Sequence, residues 1–317
     1  MQAIVVRAPL RVALGGGGTD LPAYYREHGG LVVSTAIDRY VHIVMSSQFQ
    51  SRYRLKHLEW EEVDHPREVQ HAILREALLH HWSGGPVELA SVSDVPPGTG
   101  LGSSGAYAVC AVQALSGGLL EPGELAEAAC HLEIDVLGRK IGKQDQYAAA
   151  FGGVRAYSFE PDDSVHAREL EISTEVRRAL EEDFLLFFTG QERSASDILG
   201  GGQLGEALDR LKELAGETCA ALESGDLERM AEVMNEHWEA KRRRAPGTVT
   251  EGMDELRGRA LRAGARAVIS LGAGGGGFLL VYTPDVQRTR EAMARDGVPE
   301  LRFALDGDGC TTVSRTG

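Results

Sequence analysis

Three glycine-rich segments contain the residues best able to do chemistry. They are Gly15-Gly16-Gly17-Gly18-Thr19-Asp20, Pro96-Pro97-Gly98-Thr99-Gly100-Leu101-Gly102-Ser103-Ser104-Gly105 and Gly272-Ala273-Gly274-Gly275-Gly276-Gly277. The second opens a run of small apolar residues, Ser104 to Leu115, that reads as a helix. Unpaired N–H groups at a helix start can face an anion, and glycines remove the side chains that would block its approach. That is the chemistry of a phosphate cradle, although Ser103 or Ser104 would serve equally as an ordinary helix cap. Gly-x-Gly-x-x-Gly occurs in the second and third segments, but a dinucleotide fold needs a tight turn directly between strand and helix. Asp94-Val95-Pro96-Pro97 intervenes in the second, and the third runs into a strand. No Gly-Lys-Ser/Thr closes either run, so a bound nucleotide would need a phosphate loop of another kind.

The elements that must position these loops belong to a chain of 317 residues, enough for one large or two ordinary domains. With 43% hydrophobic and 25% charged residues it reads as globular. Its 39 glycines exceed the average share of roughly 7% and are clustered, as expected where backbone passes close to a ligand. A net charge of −14 would repel a phosphate backbone, so no nucleic-acid partner is expected. No apolar run approaches the ~20 residues of a membrane span, so no membrane partner is expected either. Met1 to Val6 runs into Arg7 and Arg11, unlike a signal or transit peptide, and the chain reads as cytoplasmic. Cys110, Cys130, Cys219 and Cys310 lack paired spacing and read as free thiols.

Ala3 to Val6, Leu31 to Ser34, Tyr40 to Ser46 and Val87 to Val92 read as strands, and Glu68 to Trp82 as a helix. Gly123 to Leu137 keeps helical period through Leu125, Ala129, Leu132 and Val136. In the second half, Glu206 to Glu223, Asp226 to Arg242, Met253 to Ala263 and Val286 to Arg295 read as helices. Phe184 to Phe188, Ala267 to Leu271, Phe278 to Tyr282 and Leu301 to Leu305 read as four strands with helices on one side.

Ala8-Pro9-Leu10-Arg11 with the first glycine segment, the Pro-x-Gly-x-Gly-Leu-Gly-Ser-Ser loop and the late glycine run resemble, in order and spacing, the three motifs of the GHMP small-molecule kinases. The segments 29–38 and 141–150, and Phe188-Thr189-Gly190 with Arg193-Ser194-Ala195, resemble the D-glycero-D-manno-heptose 7-phosphate kinase branch, and the similarity covers nearly the whole chain. The resemblance implies an α+β, two-domain GHMP kinase fold, with a ribosomal protein S5 domain 2-like N-terminal half and a ferredoxin-like C-terminal half, divided as 1–175 and 176–317. It implies ATP-dependent phosphorylation of the anomeric hydroxyl of a sugar, D-glycero-α-D-manno-heptose 7-phosphate first. An octose phosphate or a free sugar such as L-fucose is the alternative, and a non-catalytic sensor a further one.

Residue by residue, the resemblance implies that Pro97, Gly98, Thr99, Gly100, Leu101, Gly102, Ser103, Ser104 and Gly105 wrap the ATP phosphates. Ser104 and Glu133 would contact Mg²⁺, a hard cation that takes oxygen ligands. Asp145 would be the catalytic aspartate, with Arg11 approaching it and facing the transferring phosphoryl oxygens. Gly17, Gly18, Thr19, Asp20, Gly274 and Gly275 would bind the acceptor, and Arg193 a phosphate on it, Lys241 and Arg242 being further cations for that pocket. The expected partners are thus ATP and a sugar or sugar phosphate; the oligomeric state stays open, a homodimer being one expectation. One departure stands out: the heptose branch usually carries Gly-Gly-Lys before the third glycine segment, where this chain has Ala267-Val268-Ile269-Ser270-Leu271.

Overall fold

The computed structural model describes residues 3–49, 51–190, 205–244 and 247–316. β1 (Ala3–Gly15) buries Ile4, Val6, Ala8, Leu10, Val12 and Leu14 on one face, the period of a strand on a core, and from Ala8 onward its other face is largely covered too, Pro9 and Arg11 being buried. The stretches at Leu31 and Tyr40 are two parts of one long strand, β2 (Gly30–Ser47), which pairs antiparallel with β1 throughout. Its first part also pairs with β6 (Val154–Phe159) and its second with β5 (Val87–Ser93). β3 (Tyr53–Lys56), β4 (Trp60–Val63) and β7 (Val165–Glu169) complete one sheet, together with β12 (Thr311–Thr316), which returns from the far end of the chain to pair with β1. The proposed division at 175/176 therefore leaves β12 in the sheet of the other half.

α3 (Ser103–Leu115) lies on this sheet and packs against β1 and β2. Its alanines, Val109, Cys110 and Val112 are buried nearly all round, as expected of a small-residue helix covered on both sides. α2 (Ala72–His81), α4 (Pro122–Cys130) and α5 (Gln144–Phe151) cover it. α1 (Pro22–His28) and α6 (Thr174–Glu182) are short connecting helices.

A second sheet has the order β11-β8-β10-β9, all antiparallel: β8 (Phe184–Phe188), β9 (Ala267–Ser270), β10 (Phe278–Tyr282) and β11 (Glu300–Leu301). α7 (Gly205–Ser224) and α8 (Leu227–Arg244) pack on each other, α7 reaching β1 and β2 and α8 reaching β9. α9 (Glu251–Arg262) and α10 (Val286–Ala294) complete this half. Among the described residues no helix is long and apolar enough to cross a membrane.

Besides the merged β2 and the helix read from Glu68, which starts at Ala72, three elements differ from their sequence reading. The helix expected over 123–137 stops as α-helix at Cys130 and continues as a π-helical turn, His131–Val136, with Leu137 N donating to Leu132 O at 3.1 Å. The segment around Asp145, which lacks clear periodicity, is α5. The strand expected at Leu301 to Leu305 is only two residues long, and Leu305 forms an isolated bridge with Ile37 instead.

Candidate active site

A cleft of about 730 Å³, in the size range of ligand pockets, runs between the glycine loops, the start of α5 and the inner face of α8. β12 pairs with β1 only as far as Arg7, which leaves the farther edge of β1 open. The second glycine segment docks there, with Arg11 N donating to Leu101 O at 3.0 Å. Gly102 is the N-cap of α3 at φ +76°, a backbone conformation glycine adopts without penalty, and no side chain caps the helix. Neither serine acts as the ordinary cap, so first-turn N–H groups stay open to an anion. Pro97, Gly98, Gly100, Gly102, Ser103, Ser104 and Gly105 line the cleft. Thr99 and Leu101 do not: Leu101 is fully buried and the Thr99 hydroxyl donates to Pro96 O.

Arg11 is nearly completely buried and clamps Asp145 with two nitrogens. Nε donates to Oδ1 at 2.8 Å and Nη2 lies 2.7 Å from the same oxygen. Its third nitrogen, Nη1, donates to Gly100 O at 2.5 Å, so one guanidinium ties the carboxylate to the phosphate loop. Asp145 sits in the first turn of α5 with its side chain 30% exposed to the cleft. Asp20 also lines the cleft and is held by backbone: Oδ1 accepts from Gly18 N and Oδ2 from Gln144 N, both at 3.0 Å. The second bond caps α5 from a distant loop, in place of its own N-cap residue Lys143. Gly142 makes this approach possible, since a Cβ there would fall 1.8 Å from Asp20 Oδ2. Burial pushes the Asp20 carboxyl up, with the nearby Asp145 adding to the effect and the amides of Gln144 and Gly18 opposing it.

Glu133 is fully buried, not a solvated helix glutamate. Glu133 follows the buried Ala126, Ala129 and Cys130 at helical spacing, so it continues the buried face of α4 into the π-helical turn. Its Oε1 accepts from Ser104 Oγ at 2.7 Å and Arg139 Nη1 at 2.6 Å, and its Oε2 from Gln146 Nε2 at 2.7 Å. Burial raises the carboxyl pKa, opposed by Ser104, Arg139 and Gln146 and reinforced by Asp145. A carboxyl raised in the fold stabilises most below its unfolded pKa and loses that contribution as pH climbs through the folded value. Glu133→Gln has no such loss. Its melting temperature relative to the parent should therefore equal or trail the parent at low pH and gain steadily as pH rises; a gap that is flat or shrinks with pH would refute the raised carboxyl.

Gly17, Gly18 and Gly274 line the cleft, but Thr19 and Gly275 do not. The Thr19 hydroxyl is buried and donates to Gly16 O and Leu31 O, while Gly275 N donates to Thr248 O. The third glycine segment braces the phosphate loop, Phe278 N donating to Thr99 O at 3.1 Å. Arg193 falls outside the described residues. The side chain of Lys143 is directed away from the cleft, onto Glu127 and the Asp163 carbonyl.

Two models for one family match the chain: "GHMP kinases N terminal domain" over residues 68–153 and "GHMP kinases C terminal" over 219–298, together just over half of it. The chain belongs to the GHMP kinases. The kinase is 28% identical to a D-glycero-alpha-D-manno-heptose 7-phosphate kinase of Campylobacter jejuni, over 91% of each chain. It is 26% identical to a bifunctional fucokinase/GDP-fucose pyrophosphorylase of Arabidopsis thaliana over 92% of this chain and 31% of that one. A crystal structure described as a D-glycero-D-manno-heptose 1-phosphate kinase from Bacteroides thetaiotaomicron superposes with a TM-score of 0.81 at 25% identity, covering 99% of this chain and 100% of the other.

Several cleft residues of this GHMP kinase escape sequence reading. Arg139 and Gln146 complete the Glu133 cluster, and α8 adds His237. The His237 ring is neutral, its pKa pushed down to about 4 by burial and the Lys241 and Arg210 charges. Gln144 Oε1, His237 Nε2 and Ser270 Oγ are buried without hydrogen-bond partners among the described residues, and all three residues line the cleft. Such orphans are rare because each costs about 1–3 kcal/mol. Lys241 is engaged, donating to Ser270 O at 2.7 Å and Gly272 O at 2.6 Å. Thus α8 supplies a cation at the third glycine segment, where the preceding strand has none. Lys241 is among the cations that the sequence reading names for the acceptor pocket, whereas neither the spacing of His237 nor its helix marks it in the sequence.

Proposed function

We propose that this ATP-dependent sugar kinase transfers the γ-phosphoryl of ATP to the anomeric hydroxyl of D-glycero-α-D-manno-heptose 7-phosphate, giving the 1,7-bisphosphate. The observation that carries the reaction is the Arg11 clamp, which fixes the Asp145 carboxylate at the rim of the phosphate loop. The identity of the acceptor is supported by the Campylobacter jejuni relative. In this reading the first-turn amides of α3 hold the triphosphate, and Asp20 receives acceptor hydroxyls on the opposite side. Asp145 orients the attacking hydroxyl and takes its proton, while Arg11 faces the charge on the transferring phosphoryl oxygens.

Ser104 and Glu133 fit Mg²⁺ by the chemistry of the donor set: a hydroxyl and a buried carboxylate, both oxygens, already shared with a cationic side chain. No group of three metal-ligating side chains occurs among the described residues, in keeping with an ion held by one carboxylate and the nucleotide phosphates. When bound, the ion would neutralise charge on the β- and γ-phosphates.

A second reading, a free-sugar kinase, is favoured by one observation. The cations lining the described part of the cleft, Arg11, Arg139 and Lys241, are all engaged with protein oxygens. ADP release on the two acceptors separates the readings. A phosphate met by a charge-assisted contact is worth ~2–3 kcal/mol, so heptose 7-phosphate should exceed heptose about 30- to 150-fold in kcat/KM. Equal values would establish the free-sugar reading.

A further inference from the structure

Arg139 follows the π-helical turn and lines the cleft beside the phosphate loop, its side chain about a third exposed. All its side-chain hydrogen bonds to described residues run through one nitrogen: Nη1 donates to Glu133 Oε1 and, at 2.8 Å, to Ser104 Oγ. Nε and Nη2 make no hydrogen bond to a described residue, so most of the five-donor fork is available. Ser104 Oγ and Glu133 Oε1 are themselves hydrogen-bonded, so the guanidinium nitrogen sits on the same two oxygens that the proposed metal ion needs. The metal ion and Arg139 Nη1 would therefore compete for them. A buried carboxylate that loses its cationic partner is left uncompensated, so the site favours one cation or the other over neither.

We propose that Arg139 closes the Ser104–Glu133 pair through Nη1 in the nucleotide-free kinase, offers its two remaining nitrogens to nucleotide phosphate, and yields the pair to the divalent cation when that binds. The proposal rests on the reading of Ser104 and Glu133 as the metal site. It makes Arg139 a competitor for the metal and a ligand for the nucleotide, so removing it has effects of opposite sign. Without Arg139 the oxygens are open and metal binds more tightly; without its donors, ATP free of metal loses a charge-assisted contact. A merely structural arginine would weaken both.

The experiment titrates Mn²⁺ into the nucleotide-free protein near pH 8, read by the electron paramagnetic resonance of free Mn²⁺, and separately titrates ATP in the presence of EDTA by calorimetry. Arg139→Gln should bind Mn²⁺ about fivefold or more tightly than the parent and metal-free ATP about tenfold or more weakly, with Arg139→Lys intermediate in both. Glu133→Gln serves as the control and should lose Mn²⁺ affinity. If that control binds Mn²⁺ like the parent, the metal reading fails and the inference with it. If the control weakens Mn²⁺ binding but Arg139→Gln fails to tighten it, or metal-free ATP binds Arg139→Gln undiminished, the inference alone is overturned.

Discussion

An Asp145→Asn variant is expected to turn over ~10²-fold more slowly or worse, with ATP affinity changed by less than about threefold. The amide keeps the shape and still accepts the Arg11 hydrogen bonds through its oxygen, so the clamp geometry survives. What is lost, on the proposed function, is the carboxylate that would receive the hydroxyl proton as the phosphoryl bond forms. Because the loss falls on the transition state, it should appear in kcat and in kcat/KM alike. Single-turnover rates and calorimetric ATP binding check it; turnover within about threefold of the parent would remove Asp145 from the chemistry.

Arg11 carries the second large effect. Its side chain is buried, and its three nitrogens serve Asp145 and the Gly100 carbonyl together. Arg11→Met leaves both unpaired and removes a fixed positive charge from beside the reacting phosphoryl group, a loss on the order of 10²–10³ in kcat. Arg11→Lys should recover no more than about a tenth of the parent rate, because an ammonium cannot reproduce the fork. Asp145 and Arg11 act as a unit, so the double variant should be no more than about threefold slower than the worse single one. Losses that multiply would mean that the two residues act independently.

The glycine loops and the β1 alternation are legible in the sequence because they depend on local rules: backbone freedom, helix-start geometry and a period of two. Asp145, Arg11, Ser104 and Glu133 are recognisable only by resemblance, since each taken alone reads as a cap, strand-end or surface residue. The rest depends on contacts distant in sequence. Thr19 has the polarity of a ligand residue, yet its hydroxyl is consumed by the Gly16 carbonyl of its own loop and the Leu31 carbonyl of β2. Glu133 lies at the edge of an apolar helical stripe, and its burial depends on the distant partners Ser104, Arg139 and Gln146 that meet its carboxylate. Asp20 caps α5 across 124 positions, which no window along the chain can register. β12 shows a polar pattern with no buried face, and its place beside β1 comes from edge pairing alone.

The central claim is phosphoryl transfer from ATP to the anomeric oxygen of a heptose 7-phosphate, and ³¹P NMR of that reaction tests it directly. The account predicts consumption of ATP to ADP and a second sugar phosphomonoester signal, split by the anomeric proton, beside the retained 7-phosphate. A new phosphate coupled to any other proton, or ADP formed with no new sugar phosphate, would contradict it.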